Sequence, residues 1–244
     1  MLRHALRATV LAILATAVVW AVPSYGISKE FDKNYPLAPG GTFELQNVNG
    51  TVEVHAVKIA KHRESDLERV SIEVDARPGA VSVATHYPQD EGVEVSVEYT
   101  IRVPRGAHVE HVGTVNGSLR IVSVDNIEEL HTVNGNIEVF EGGGALHAHT
   151  TNGNVQMEVA HVREKDGVTA ETTNGSVVLA LPSDTQADLE TRCMNGSFSS
   201  ELPVRMESSQ RPREMHGKIG HGGALIHLRT INGGIRVTVL RSTV

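Results

Sequence analysis

Cysteine is almost missing from this chain, aromatic residues are scarce, and no run of basic residues occurs. Each shortage excludes something. The one cysteine, Cys193, has no partner within the chain, so the fold must hold without an intramolecular disulfide. Phe, Trp and Tyr together make up 4% of the residues. A wide core or an aromatic-lined sugar platform is therefore not expected, whereas narrow cores of stacked Val, Ile and Leu are. Lys and Arg are scattered and the net charge is −7. With no electrostatic footprint for a phosphate backbone, nucleic acid is excluded as a partner.

What is present begins with an export signal. Arg3 and Arg7 precede an apolar run from about Ala8 to Val22, and Ser24-Tyr25-Gly26 supplies a small-x-small cleavage pattern. The expected organisation is a signal peptide over 1–26, a linker over 27–41 carrying Pro36, Pro39 and Gly40-Gly41, and one domain over 42–244. Cleavage near Gly26 places the mature protein outside the cytoplasm, in the periplasm or secreted. Retention of the segment as an anchor is the alternative, and it is the only contact with a membrane that the sequence offers. The run is shorter than the roughly 20 apolar residues a spanning helix needs, and no cysteine near the cleavage region provides for lipidation.

From Phe43 onward the apolar residues alternate with polar ones, which is the period of a strand with one buried face. The longest such run is Val93–Val103, and Lys58–Arg69 is the only segment with helical character. Seven Asn-Gly pairs, at Asn49, Asn116, Asn134, Asn152, Asn174, Asn195 and Asn232, each sit between two alternating runs. From Asn116 to Asn195 their spacing is 18 to 22 residues, and a 37-residue gap then leads to Asn232. Pro203–Gly223 fills that gap and reads as a mobile loop or irregular coil.

Aligning the repeats on their Asn gives columns. Four residues before it stand Leu45, Val112, Leu130, Ala148, Ala170, Thr191 and Leu228; two before it stand Asn47, Thr114, Thr132, Thr150, Thr172, Cys193 and Thr230. Three and five after it, Val, Ile and Leu dominate. These columns point inward, and Arg120, Glu138 and Gln156 between them face water. Asn and Gly tolerate positive φ, so Asn-Gly permits a tight corner between two strands. Such a corner suits an antiparallel β-hairpin meander or sandwich, with Ala148 facing Met157. It equally suits a single-stranded β-solenoid of 18–22-residue coils. The solenoid is the expected fold, all-β, because an identical Thr and an identical Asn in every copy are most useful where copies stack and bond along a ladder. The ladder residues would be Thr114, Thr132, Thr150, Thr172 and Thr230 with Asn116, Asn134, Asn152, Asn174, Asn195 and Asn232.

The segments Tyr99–Val109, Gly113–Ile121 and Gly220–Val237 read YTIRVPRGAHV, GTVNGSLRI and GHGGALIHLRTINGGIRV. Together with the Thr-x-Asn-Gly coils they resemble the toastrack domains, a bacterial family of unknown function with a provisional adhesin label. The resemblance implies a right-handed β-helix-like domain on the outer side of a membrane, in a family often tied to envelope-stress signalling. It brings no catalytic residues and no cofactor. No transmembrane or signalling segment follows the repeats here, which speaks against a sensor role.

Candidate chemistry centres on histidine, present in 13 copies. His147 and His149 lie two apart on one strand and share an outward face; His131 occupies the column of His149 one repeat earlier. Three imidazoles on one face are the type of donor set that takes Zn²⁺, Cu²⁺ or Ni²⁺. An outward polar face that happens to use His is the plainer reading. Cys193 stands in a core column, away from an activating base. Glu138, Glu158 and Glu171 would have to converge on one groove to act on a polysaccharide. Gly142-Gly143-Gly144 leads into a strand, which fits a wide corner and not a phosphate cradle. The expected function is a non-enzymatic binding or scaffold domain at the cell envelope, with an envelope protein or glycan as partner and end-to-end self-association open to it. A polysaccharide-acting envelope enzyme is the alternative.

Overall fold

The computed structural model describes residues 41–49, 52–54, 69–77, 79–87, 99–101, 103, 105–162, 165–207 and 213–241. The expected signal peptide, the linker up to residue 40, residues 58–68 of the segment with helical character, and most of the Val93–Val103 run lie outside them. Among the described residues there is no helix and none long and apolar enough to cross a membrane. They form nineteen strands. The first third holds β1 (Thr42–Asn49), β2 (Val52–Val54), β3 (Ser71–Arg77), β4 (Ala80–His86) and β5 (Tyr99–Thr100). The regular repeats supply β6 (His108–Asn116), β7 (Leu119–Val122), β8 (Asn126–Asn134), β9 (Ile137–Gly142), β10 (Leu146–Asn152), β11 (Val155–Val159), β12 (Val168–Asn174) and β13 (Val177–Leu181). The last part gives β14 (Ala187–Asn195), β15 (Phe198–Ser200), β16 (Val204–Glu207), β17 (Glu214–Ile219), β18 (Ala224–Asn232) and β19 (Ile235–Val239).

The two strands flanking an Asn-Gly never pair with each other. They belong to different sheets, an eleven-stranded one that takes the strand before each Asn-Gly and an eight-stranded one that takes the strand after it. Ala148 pairs in parallel with Leu130 and Ala170, and Met157 with Val139 and Leu179. Thus the hairpin arrangement drops out and the chain winds as a β-solenoid. The inward columns are buried as their alternation requires: Leu130, Ala148, Ala170 and Leu228 on one wall, Ile137, Val155, Val177 and Ile235 on the other. Burying each of these Val, Ile and Leu side chains contributes about 1.5–3 kcal/mol, so the stacked aliphatic columns are the main source of stability.

Coil order along the stack departs from chain order at both ends. The last coil, β18 and β19, lies between the coil of β12 and β13 and that of β14 and β15. After β13 the chain skips one strand position, lays down β14 and β15, and returns to fill the gap. At the other end β1 pairs with both β4 and β6, so the first coil is likewise enclosed by later chain. Each terminal coil is thereby buried between neighbours instead of forming an open edge.

Antiparallel strands finish both ends of the long sheet, β3 on β4 and the β16–β17 pair on β14. The Pro203–Gly223 region is therefore not an irregular coil, although its residues 208–212 lie outside the described ones. Its alternation in Glu214–Ile219 is hidden by Gly217 at an inward position, where a Cβ would stand 2.6 Å from Val204 Cγ1. Covering the edge of β14 favours strand over loop. In the short sheet the edges are β5, two residues, and β15, three residues.

Candidate functional site

The repeated corners come first, since they fix which outward side chains become neighbours. Their asparagines form one continuous chain of side-chain amides. Asn195 Nδ2 donates to Asn232 Oδ1 at 2.9 Å, Asn232 to Asn174, Asn174 to Asn152 and Asn152 to Asn134 at 2.8 Å each, and Asn134 to Asn116 at 2.7 Å. Every bond points the same way. The threonines do not bond to one another: Thr132, Thr150, Thr172 and Thr230 each donate Oγ1 to a Gly carbonyl in the neighbouring corner, at 2.8–2.9 Å. Cys193 takes the same place with its Sγ 3.2 Å from Gly233 O. Burial pushes its thiol pKa up, which favours the protonated thiol that donates to this carbonyl.

A third ladder runs two places after the Asn through the coils from Ser118 to Ser176. The side-chain oxygens of Ser118, Asn136 and Asn154 accept from the backbone N–H of Asn136, Asn154 and Ser176 at 2.8–3.0 Å. Its residues Ser118, Asn136, Asn154, Ser176 and Ser197 share one place in the repeat, but Gly234 breaks the column. The corner glycines answer a different demand from the one their sequence suggests. None of the corner asparagines has positive φ. A Cβ on Gly135, Gly153, Gly175 or Gly233 would instead lie 1.9 Å from the carbonyl oxygen of the adjacent corner's glycine. Close stacking requires glycine at all four corners, and at Gly233 a positive φ of 153° adds a backbone demand of its own.

With the corners in register, the outward face of the long sheet carries two rows of titratable side chains. One row reads His111, Glu129, His147, Thr169, His227, Glu190, His216 across β6, β8, β10, β12, β18, β14 and β17. The next reads Gly113, His131, His149, Glu171, Arg229, Arg192, Glu214. Contacts link the rows. His149 Nδ1 lies 3.4 Å from Glu171 Oε2, and His227 Nε2 3.6 Å from Glu171 Oε1. His227 Nδ1 is 3.5 Å from Glu190 Oε2, and His216 Nδ1 3.6 Å from Glu190 Oε1. A five-residue chain, His149–Glu171–His227–Glu190–His216, therefore crosses five neighbouring strands.

The structure brings His131 and His149 together and leaves His147 apart. The first two rings stack with centroids 5.3 Å apart and planes 4° from parallel, while His147 sits in the other row, opposite Glu129 and Thr169. Among the described residues no three His, Cys, Asp or Glu are placed to share a metal ion. The pKa of His131 is lowered, first by burial and then by the neighbouring His149 and His111, against an opposing pull from Glu129. The three candidate acids divide: Glu171 belongs to this face, whereas Glu138 and Glu158 lie on the other sheet, Glu138 meeting Arg120 at 3.4 Å. Sequence columns could have placed His227 and Glu190 outward, both five residues before their Asn, whereas His216 stands in the gap between repeats and in no column. Their adjacency to Glu171 could not be read, because it depends on the last coil entering the stack out of order.

A cleft of about 560 Å³ opens on the side opposite the Asn-Gly corners, lined by Ala160–Val162, Pro182, Asp184–Gln186 and Gly222–Ala224. Its described lining offers one carboxylate, Asp184, and one imidazole, His161.

The sequence model of the family described as Toastrack DUF4097 matches residues 39–238. Among solved structures, the chain is similar to one described as a "putative cell adhesion protein" from Clostridium sporogenes, with 12% identity and a TM-score of 0.53, over 88% of this chain and 100% of that one. A second, described as a "putative adhesin" from Bacteroides fragilis, shares 11% identity with a TM-score of 0.39, over 89% of this chain and 99% of that one. No curated protein sequence matches the chain.

Proposed function

Because the chain belongs to the toastrack family, we infer that it is an exported, non-enzymatic binding or scaffold domain of the bacterial cell envelope, in an adhesive or envelope-stress role. The carrying observation is the outward face of the long sheet. There the His and Glu side chains of neighbouring coils contact one another in rows and spread over an open surface, an arrangement suited to meeting a partner over area. The name of the similar clostridial structure agrees with a surface role, and the amino-terminal basic and apolar run supports export.

A crosslinker carried at Thr169, in the middle of this face, should capture an envelope protein or glycan from intact cells. The same crosslinker at Gln156, on the opposite sheet, should capture less of it. Equal capture from both faces, or sugar release from envelope polysaccharide by the purified protein, would overturn the reading in favour of a different surface or an enzyme. In its scaffold form the same domain would assemble end to end through the outer edges of β3 and β16. Sedimentation over a concentration series measures that assembly.

A further inference from the structure

We propose that Asn195–Gly196 is a site of spontaneous, position-selective deamidation, because it is the rung at which the stack ends. Six Asn-Gly corners lie wholly among the described residues. In five of them the Gly N–H is held by the next corner: Gly117, Gly135, Gly153, Gly175 and Gly233 donate to the carbonyls of Asn134, Asn152, Asn174, Asn232 and Asn195 at 2.9–3.1 Å. Gly196 has no next corner among the described residues. Its coil is the last of the stack, β15 being the edge of the short sheet and β17 leaving β14 after the Arg192–Glu214 pair. The side chains differ in the same way: Asn134, Asn152, Asn174 and Asn232 each donate and accept, whereas Asn195 only donates. Residues 194–197 are all exposed.

The chemistry follows from which N–H is free. Deprotonated Gly196 N attacks Asn195 Cγ, forming a new C–N bond; the bond from Cγ to the side-chain nitrogen breaks and ammonia leaves. Water then opens the five-membered succinimide at either carbonyl, giving aspartate or isoaspartate at position 195. No oxidant or reductant is needed. In the five interior corners the attacking nitrogen keeps its proton in a hydrogen bond, and at Asn134, Asn152, Asn174 and Asn232 the Asn amide is also fixed on both sides, so reaction there requires local opening of neighbouring coils. At position 195 the product loses the amide donor to Asn232 Oδ1, and isoaspartate lengthens the main chain just before the three-residue β15.

Incubation of the intact protein at mildly alkaline pH, followed by peptide mass spectrometry, tests this. Asn195 should convert at least about tenfold faster than Asn116, Asn134, Asn152, Asn174 and Asn232, as expected when reaction needs no opening of the stack. In denaturant the six should react at similar rates. Equal rates in the folded protein, or fastest conversion at any of the five interior asparagines, would overturn the proposal. Fastest conversion at Asn232 would in particular indicate coils stacked in chain order.

Discussion

The two sides of the solenoid solve one problem, turning the chain from one sheet to the other, in opposite ways. On the Asn-Gly side the copies from Asn116 onward share the Asn-Gly pair and its amide ladder, with Cys193 standing in once for the Thr that bonds the neighbouring glycine carbonyl, and each corner's atoms are complete only against the next corner. On the other side each turn is its own. Ser123 and Glu141 take positive φ and bond through Ser123 Oγ to Glu141 Oε2 at 2.8 Å. Gly142-Gly143-Gly144 fills the next turn, where Gly143 and Gly144 press on the backbone of Asp125 and Ile127. Near the end, Gln186 accepts from His221 N at 2.6 Å and Asp188 from Gly223 N at 3.3 Å, tying down the turn that starts the inserted coil. The regular side sets the spacing of the stack; the irregular side absorbs the differences in coil length.

The largest expected effect is at the stacked glycines. Gly153→Ala should destabilise by about 3 kcal/mol or more, since its Cβ would overlap the Gly135 carbonyl and the two stacked corners must move apart. Gly167→Ala, on the irregular side, meets only Leu225 O at 3.5 Å and should be near neutral. Thermal unfolding separates them, as 1 kcal/mol corresponds to about 2–4 °C for a chain of this size. Equal losses at both positions would erase the distinction between the sides. Next comes Thr150→Val, which keeps the buried shape but leaves the Gly135 carbonyl without its hydroxyl donor; a loss of about 1–2 kcal/mol in denaturant unfolding is expected. No loss would reduce the Thr column to a packing role.

The smallest effect concerns pH. The folded pKa of His131 lies below its ordinary value, so the folded state holds fewer protons than the unfolded state while that group titrates. The contribution is intact above the unfolded value of about 6.5 and is lost as the pH falls from there through the lower folded value. His131→Asn should flatten this acid-side decline in stability, read from denaturant unfolding at a series of pH values; an unchanged slope would remove His131 as its source.

The Asn-Gly side was almost wholly legible in the sequence. Period-two alternation fixed the inward columns, and the identical Thr and Asn in each copy pointed to stacking over hairpins. Two things there were misread. Threonine serves the neighbouring glycine carbonyl, not another threonine, and glycine is required by a contact between coils that no local reading reveals. The irregular side was not legible because its turns share no residues. With it went the order of the final coils and hence the chain from His149 to His216. Column alignment shows which residues share a face, but adjacency across the sheet is a property of the stacking order.

That order is tested most directly by paired cysteines on the short sheet in a Cys193→Ser background. Arg236 lies beside both Val178 and Ser199, so the pairs Val178→Cys with Arg236→Cys and Ser199→Cys with Arg236→Cys should crosslink on mild oxidation. Val178 and Ser199 are then two strands apart, roughly 9–10 Å, and their cysteine pair should stay reduced. Ready crosslinking of positions 178 and 199, with none to 236 from both sides, would mean that the coils stack in chain order and would contradict the account.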